Sequence, residues 1–117
     1  MKPTRSLLAA LLIALPFSVF AIGAIAVDDE EGQTDPGYGY VTGAASKQAA
    51  SAGAMKECRA SGNKGCKVVV WFESCGAYAH SRDHYGIGYG KTKKVAEAKA
   101  LEECGGKSCK ILVADCE

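Results

Sequence analysis

The fold of this chain is decided by the stretch Cys66-Lys-Val-Val-Val-Trp-Phe-Glu-Ser-Cys75-Gly-Ala-Tyr-Ala-His80, in which an apolar run leads directly into a second, half-polar run. Every residue from Val68 to Phe72 is apolar, so a strand here would carry apolar side chains on both of its faces. This pattern predicts a central strand that is covered on both faces. The turn residues Ser81-Arg-Asp-His84 follow the second run and precede Tyr85. They predict a hairpin that joins two halves of a domain.

The regions on either side of this stretch are copies of each other. Residues 38–75 align with residues 85–116, and within them residues 46–58 match residues 92–104 without a gap. The helical segments end in Met-Lys-Glu-Cys and Leu-Glu-Glu-Cys, and each is followed by a second apolar run. Each copy is therefore predicted to fold as strand, helix, strand.

Both predicted helices have a starting residue and a buried stripe. Ser46 and Thr92 are suited to accept a hydrogen bond from a first-turn amide. Small residues recur at helical spacing and predict helices that lie close on a sheet: Ala50, Ala54, Cys58, Ala96, Ala100 and Cys104. The predicted order is β-α-β-β-β-α-β, an α+β domain with two helices on one face of a mainly antiparallel sheet.

The N-terminal third divides into two segments that are not expected to belong to this domain. Lys2 and Arg5 precede an apolar run that ends in Ala24-Ile-Ala26, so we expect residues 1–26 to be a signal peptide. The alternative is an uncleaved membrane anchor, because residues 7–26 are long enough to span a bilayer. Residues 27–37 contain five acidic residues and are expected to form a flexible tail before a domain at residues 38–117.

All six cysteines lie in the predicted domain, and an even number in a short exported chain indicates disulfides. The alternative is a metal site, but the spacings do not form paired C-x2-C knuckles. If both copies use their cysteines alike, the pairs are Cys58–Cys66 and Cys104–Cys109, which leaves Cys75–Cys116 to join the halves. This is one of 15 pairings that six cysteines allow.

Several motifs resemble one family. They are Trp71-Phe-Glu-Ser-Cys-Gly-Ala-Tyr-Ala79, Gly86-x-Gly88-x-Gly90 and the cysteine spacing. Across residues 40–117 they are similar to the domain of unknown function 4189 family. The resemblance implies a small exported bacterial protein, found in the periplasm or secreted, and it supplies no catalytic residues or cofactor.

The chemistry-bearing residues cluster near the predicted hairpin. His80, Asp83 and His84 form a candidate acid–base group, but no nucleophile lies near them in the sequence, so we interpret Arg82, Asp83 and His84 as turn residues. Aromatic and basic side chains favour partner binding. The predicted partner surface therefore consists of Tyr78, His80, Arg82, Tyr85, Tyr89, Lys91, Lys93 and Lys94.

Three functions remain open on the sequence. The first is a non-enzymatic module that binds another protein, as an inhibitor, an immunity-type factor or a secreted factor directed at a host or competitor. The second is a structural protein of the cell envelope, and the third is a small hydrolase that uses His80 or His84. Removing residues 1–26 leaves 12 basic and 13 acidic residues, so nucleic-acid binding is not expected. We expect no metal, no cofactor and no stable membrane insertion after cleavage.

Overall fold

The computed structural model describes residues 21–29 and 36–117, which contain six strands and two helices. The elements are β1 (Ile22–Asp28), β2 (Gly37–Ala44), α1 (Lys47–Ala60), β3 (Lys67–Phe72), β4 (Cys75–His80), β5 (Tyr85–Gly90), α2 (Lys93–Cys104) and β6 (Lys110–Cys116). The α+β class and the order β-α-β-β-β-α-β are confirmed from β2 onward. The additional strand β1 precedes them.

β1 corrects the expected domain boundaries. Residues 22–28 were assigned to the signal peptide and the acidic tail, but they form a strand in which Ala24 through Val27 have no exposed surface. Asp28 is also buried, and its carboxylate accepts a hydrogen bond from the Gly65 amide at 3.1 Å. The domain therefore includes Ile22 and does not begin at Tyr38. Residues 1–20 of the expected signal peptide and residues 30–35 of the expected tail lie outside the described residues.

The strands form two antiparallel sheets of three strands each. The first sheet has the order β2-β1-β3 and the second has the order β5-β4-β6. β3 was expected to be a central strand, and this was wrong because β1 takes the central position beside it. The centre of the second sheet is β4, the half-polar run of the sequence. Each edge strand is thus held by the central strand of its own sheet.

The duplication is longer than the sequence alignment indicated. Ile22-Gly-Ala-Ile-Ala-Val27 corresponds to Cys75-Gly-Ala-Tyr-Ala-His80, and the strand registers agree, since Ile25 pairs with Tyr40 as Tyr78 pairs with Ile87. The first repeat is therefore β1-β2-α1-β3 and the second repeat is β4-β5-α2-β6. Each copy has a register shift in its last strand, at Val69 and at Leu112. The sequence suggested that successive side chains of β3 alternate between its two faces. The shift interrupts this alternation, since the neighbours Val69 and Val70 both pack in the shared core.

Each helix covers its own sheet, and the opposite faces of the two sheets share one core. α1 packs its small buried residues on the first sheet, and α2 does the same on the second sheet. The shared core contains Ile25 and Val70 from the first sheet and Tyr78 and Val113 from the second. The helices therefore cover two separate sheets and do not lie together on one. The predicted buried stripes of both helices are confirmed.

Glycines in β5 allow α2 to approach the second sheet closely. A Cβ atom at Gly88 would overlap the backbone of Ala96 and Ala100, and one at Gly86 would overlap the backbone of Ala100 and Cys104. The obstacle in each case is helix backbone, which cannot rotate away as a side chain does. Small residues on both sides of this contact therefore set the distance between helix and sheet.

Three disulfides join the same pairs that the repeat argument suggested, and no free cysteine occurs among the described residues. Cys58–Cys66 and Cys104–Cys109 each tie the end of a helix to the chain that follows it. Cys75–Cys116 was expected to join the two halves. It instead connects β4 to β6 within the second repeat, where the two cysteines are register partners.

We expect Gly88→Ala to lower the free energy of unfolding by about 1–3 kcal/mol, because the added methyl group forces α2 away from β5. Chemical denaturation of the purified protein measures this change. Gly106→Ala is the matched control, because a Cβ atom there would lie 3.3 Å from the sulfur of Cys109 and needs little adjustment. Equal stability of the two variants would contradict the close packing.

The two disulfides of the second repeat are expected to contribute unequally. Cys75–Cys116 spans 41 positions and Cys104–Cys109 spans 5. Loop entropy then gives contributions of about 4 and about 2 kcal/mol. Paired alanine substitutions at each disulfide, compared by thermal unfolding, should show the larger loss for Cys75 and Cys116. The reverse ranking would mean that loop entropy does not govern these bonds.

Candidate functional site

The structure divides the predicted partner surface into buried and exposed members. Tyr78 and His80 are buried, with 1% and 7% of their surface exposed, so their assignment to a binding surface was wrong. Tyr78 lies in the core shared by the two sheets, and His80 lines a cavity beside the turn that follows β4. Tyr85 and Tyr89 lie on the edge strand β5 and are 59% and 52% exposed. Tyr85 and Tyr89 are thus exposed on an edge strand, whereas the central strand β4 buries Tyr78.

Tyr78 is a structural residue. Its hydroxyl donates a hydrogen bond of 2.5 Å to the Asp29 carboxylate, and its ring stacks on Tyr85 with centroids 6.0 Å apart. Burial, and secondarily this hydrogen bond and the nearby charge of Asp29, raise the pKa of Tyr78 above its ordinary value. Asp29 was expected to lie in a flexible tail, but it links the end of β1 to the centre of the second sheet.

The hairpin between β4 and β5 has a defined turn. The Ser81 hydroxyl accepts hydrogen bonds from the amides of Asp83 and His84, and the Ser81 amide donates to the carbonyl of His84. A shallow cavity of about 390 Å³ beside it is lined by His80, Arg82 and Lys110, among others. The turn interpretation of residues 81–84 agrees with this geometry.

A larger cleft lies where the two repeats join, and we call it the inter-repeat cleft. Its volume is about 540 Å³, which is within the usual range for ligand sites. It is lined by Ile22, Lys47, Trp71, Phe72, Glu73, Ser74, Cys75, Tyr89, Gly90, Lys91 and Lys99. The short connection Glu73-Ser74 between β3 and β4 brings residues of both repeats to this one cleft.

Trp71 is held in place by the start of α1. Its indole N–H donates a hydrogen bond of 2.7 Å to the Ser51 hydroxyl, which in turn donates to the carbonyl of Lys47. The ammonium group of Lys47 lies 4.4 Å from the centroid of the indole ring, a cation–π contact. The ring is thus oriented by α1 while part of its surface remains in the cleft.

The charge around the inter-repeat cleft is mainly positive. Lys47, Lys91 and Lys99 line it, and among the residues that the structure describes Glu73 is the one acidic side chain in its lining. Lys47 is the first residue of α1, and Lys91 directly precedes Thr92, the N-cap of α2. Because helix N-termini carry partial positive charge, both helix starts add to the potential of the lysines. The cleft is therefore suited to negatively charged groups.

Sequence reasoning found only part of this cleft. Tyr89 and Lys91 were predicted, while Arg82, Lys93 and Lys94 do not line it. Lys47, Trp71 and Phe72 were missed as site residues because they come from distant parts of the chain, whereas Lys99 lies in the same lysine-rich segment as Lys91 and was expected to belong to a solvated face or a basic patch. The one feature of the sequence that pointed to this cleft is the short connection between the end of β3 and the start of β4.

Residues 21–29 and 36–117 lack two other kinds of functional feature. These residues contain no group of three or more His, Cys, Asp or Glu side chains placed to hold a metal ion. None of the helices described there is both long and apolar enough to cross a bilayer. The exposed aromatic and lysine residues of the inter-repeat cleft are therefore the features on which we base a function.

We expect Tyr78→Phe to lower the free energy of unfolding by about 1–3 kcal/mol, because it removes a hydrogen bond to a charged acceptor.

The raised pKa of Tyr78 also predicts how the free energy of unfolding changes with pH. Tyrosine in the unfolded chain loses its proton above pH 10.0, whereas folded Tyr78 keeps it, so the associated stability is present below that pH and is lost as the pH rises above it.

Denaturant unfolding at about pH 8 and about pH 11 measures both effects. Tyr78→Phe should lose less stability between the two pH values than the unaltered protein does. Tyr89→Phe is the control, since Tyr89 is exposed and, unlike the stacked Tyr85, is not among the causes of the raised pKa of Tyr78. An alkaline decline of equal size in all three proteins would contradict the role given to Tyr78.

Comparison with known proteins identifies the family. The family model described as Domain of unknown function (DUF4189) matches residues 22–116, so its start coincides with the first residue of β1. No curated protein matches this sequence. No solved structure matches it either. Because the match covers most of the chain, including all six strands and both helices, this protein belongs to the DUF4189 family.

Proposed function

We propose that this protein is exported and acts without catalysis, by binding an acidic segment of a partner protein in the inter-repeat cleft. The observation that carries the proposal is the combination of three lysines with the aromatic side chains of Trp71, Phe72 and Tyr89 around one cleft. A few side chains, with tryptophan, tyrosine and arginine prominent among them, provide most of the energy at many protein interfaces. The expected role is that of an inhibitor, an immunity-type factor or a secreted factor.

Different side chains of the cleft would bind the aromatic and the acidic residues of a partner. Trp71 is partly buried, its indole N–H is bonded to Ser51 and the Lys47 ammonium group lies over its ring, so the part of the ring that remains in the cleft is a preoriented apolar surface. Tyr89 is exposed on the opposite wall, which belongs to the second repeat. Lys91 and Lys99 then pair with carboxylates that reach the rim. An acidic peptide with an aromatic residue satisfies both kinds of contact.

Recognition by side chains fits this surface better than the addition of a strand to β5. The amide of Ile87, in the middle of β5, donates a hydrogen bond of 3.0 Å to the Glu103 carboxylate. This contact occupies a backbone donor that an added strand would need. We therefore expect the side chains of Tyr89 and Lys91 to contact the partner. We do not expect the partner to form backbone hydrogen bonds with β5.

The binding proposal is tested through Trp71, the single tryptophan of the sequence, whose fluorescence reports directly on the cleft. Titration with a peptide of alternating glutamate and tyrosine should change the emission in a saturable way. We expect Lys91→Ala with Lys99→Ala to weaken binding about 5- to 30-fold, which corresponds to about 1–2 kcal/mol. Added salt should also weaken binding, because exposed ion pairs are screened.

Lys93→Ala with Lys94→Ala is the matched control. It removes the same charge from the first turn of α2 but leaves the lining of the cleft intact. Binding should change little in this variant. An equal loss in both double variants would indicate attraction to net charge alone. A peptide that leaves Trp71 emission unchanged, or a neutral peptide that binds equally well, would overturn the proposal.

A further inference from the structure

We infer that the exported protein is processed between Ala21 and Ile22, so that its first residue is the first residue of β1. The inference uses only the export that is part of the proposed function and does not depend on binding in the cleft. Two segments that end in alanine are candidate signal-peptide cleavage sites, and only the first of them also has a small residue two positions earlier. One is Ala24-Ile-Ala26, and the other is Val19-Phe20-Ala21.

Cleavage after Ala26 is incompatible with the first sheet. It would remove Ile22 through Ala26, five of the seven residues of β1. β2 and β3 are both paired to β1, so the sheet would lose the strand that connects its edges. The shared core would also lose Ile25, and α1 would lose the alanines on which it packs.

The positive charge of the new N-terminus also favours cleavage before Ile22 over cleavage before Val27. Val27 belongs to the core shared by the two sheets, so a chain that began there would have to bury its ammonium group to keep that core, which is costly. Ile22 instead lies at the rim of the inter-repeat cleft and is partly exposed. The Glu117 carboxylate accepts hydrogen bonds from the Gly43 amide and lies 2.7 Å from where a Cβ atom on Gly23 would be, so an acidic side chain lies in the neighbourhood of Ile22.

The duplication explains why the pattern Ala24-Ile-Ala26 occurs inside the domain. It corresponds to Ala77-Tyr-Ala79 of β4, and in both repeats the alanines face the helix while the larger residue between them enters the shared core. These alanines are small because a helix packs on them. Their resemblance to a peptidase site follows from the packing of the strand.

Assigning residues 22–28 to the sheet also shortens the apolar run that precedes the domain. The run from Leu7 to Ala26 has the twenty residues that a membrane span requires, but the part before β1 extends only from Leu7 to Ala21. That is fifteen residues, below the range of about 17–25 for a spanning helix and within that of a signal-peptide core. The length therefore favours a cleaved leader over a permanent anchor.

The test uses the full 117-residue chain, expressed without a tag in a bacterial host that exports proteins. Intact mass and N-terminal sequencing of the product from the periplasm or medium should give Ile22 as the first residue. A first residue of Val27, any other start, or a full-length chain retained in the membrane would overturn the inference.

Two variants distinguish the candidate positions even if folding is impaired, because processing is read from chain length in whole-cell extracts. Ala21→Phe removes the small residue at the inferred site and should cause the precursor to accumulate. Ala26→Val removes the small residue of the other motif and should leave the extent of processing unchanged. The opposite pattern would place the cut after Ala26.

Discussion

The backbone hydrogen bonds of the two central strands, β1 and β4, are the constraint on which the rest of the structure depends. Each central strand is antiparallel to both of its neighbours, so one short segment holds three strands in register. The same segment presents alanines to a helix on one face and Ile25 or Tyr78 to the shared core on the other. Loss of either segment would remove the hydrogen-bonding partner of two edge strands and the surface on which a helix packs.

The sequence predicted the parts of this fold that local patterns determine. Ser46 and Thr92 accept hydrogen bonds from the amides of Ala49 and Val95 as N-caps do, and the stripes of small residues are buried as their spacing indicated. It misassigned β1, because Ala24-Ile-Ala26 has the form of a cleavage site and lies directly after an apolar leader-like run. Only the match between Ile22–Val27 and Cys75–His80, read together with strand pairing, distinguishes a core strand from the end of a signal peptide.

The candidate site was less predictable than the fold because it arises between the repeats. Tyrosines in β4 and β5 look alike in the sequence, yet the central strand buries Tyr78 while the edge strand exposes Tyr89. Trp71 and Lys47 belong to the first repeat and meet Lys91 and Lys99 of the second only because Glu73-Ser74 is so short. Both repeats thus contribute walls of the cleft, and Trp71, Lys91 and Lys99 stand at positions where the two copies differ.

The most direct test of this account is hydrogen exchange of backbone amides in the processed protein. Amides in the core of a cooperative domain exchange only when that domain opens. The account predicts that the amides of Ala24 to Val27 exchange as slowly as those of Ala77 to Ala79 and much more slowly than those of β2. Fast exchange of Ala24 to Val27, with protection beginning only after Tyr38, would show that β1 is not the centre of the first sheet and would contradict the account.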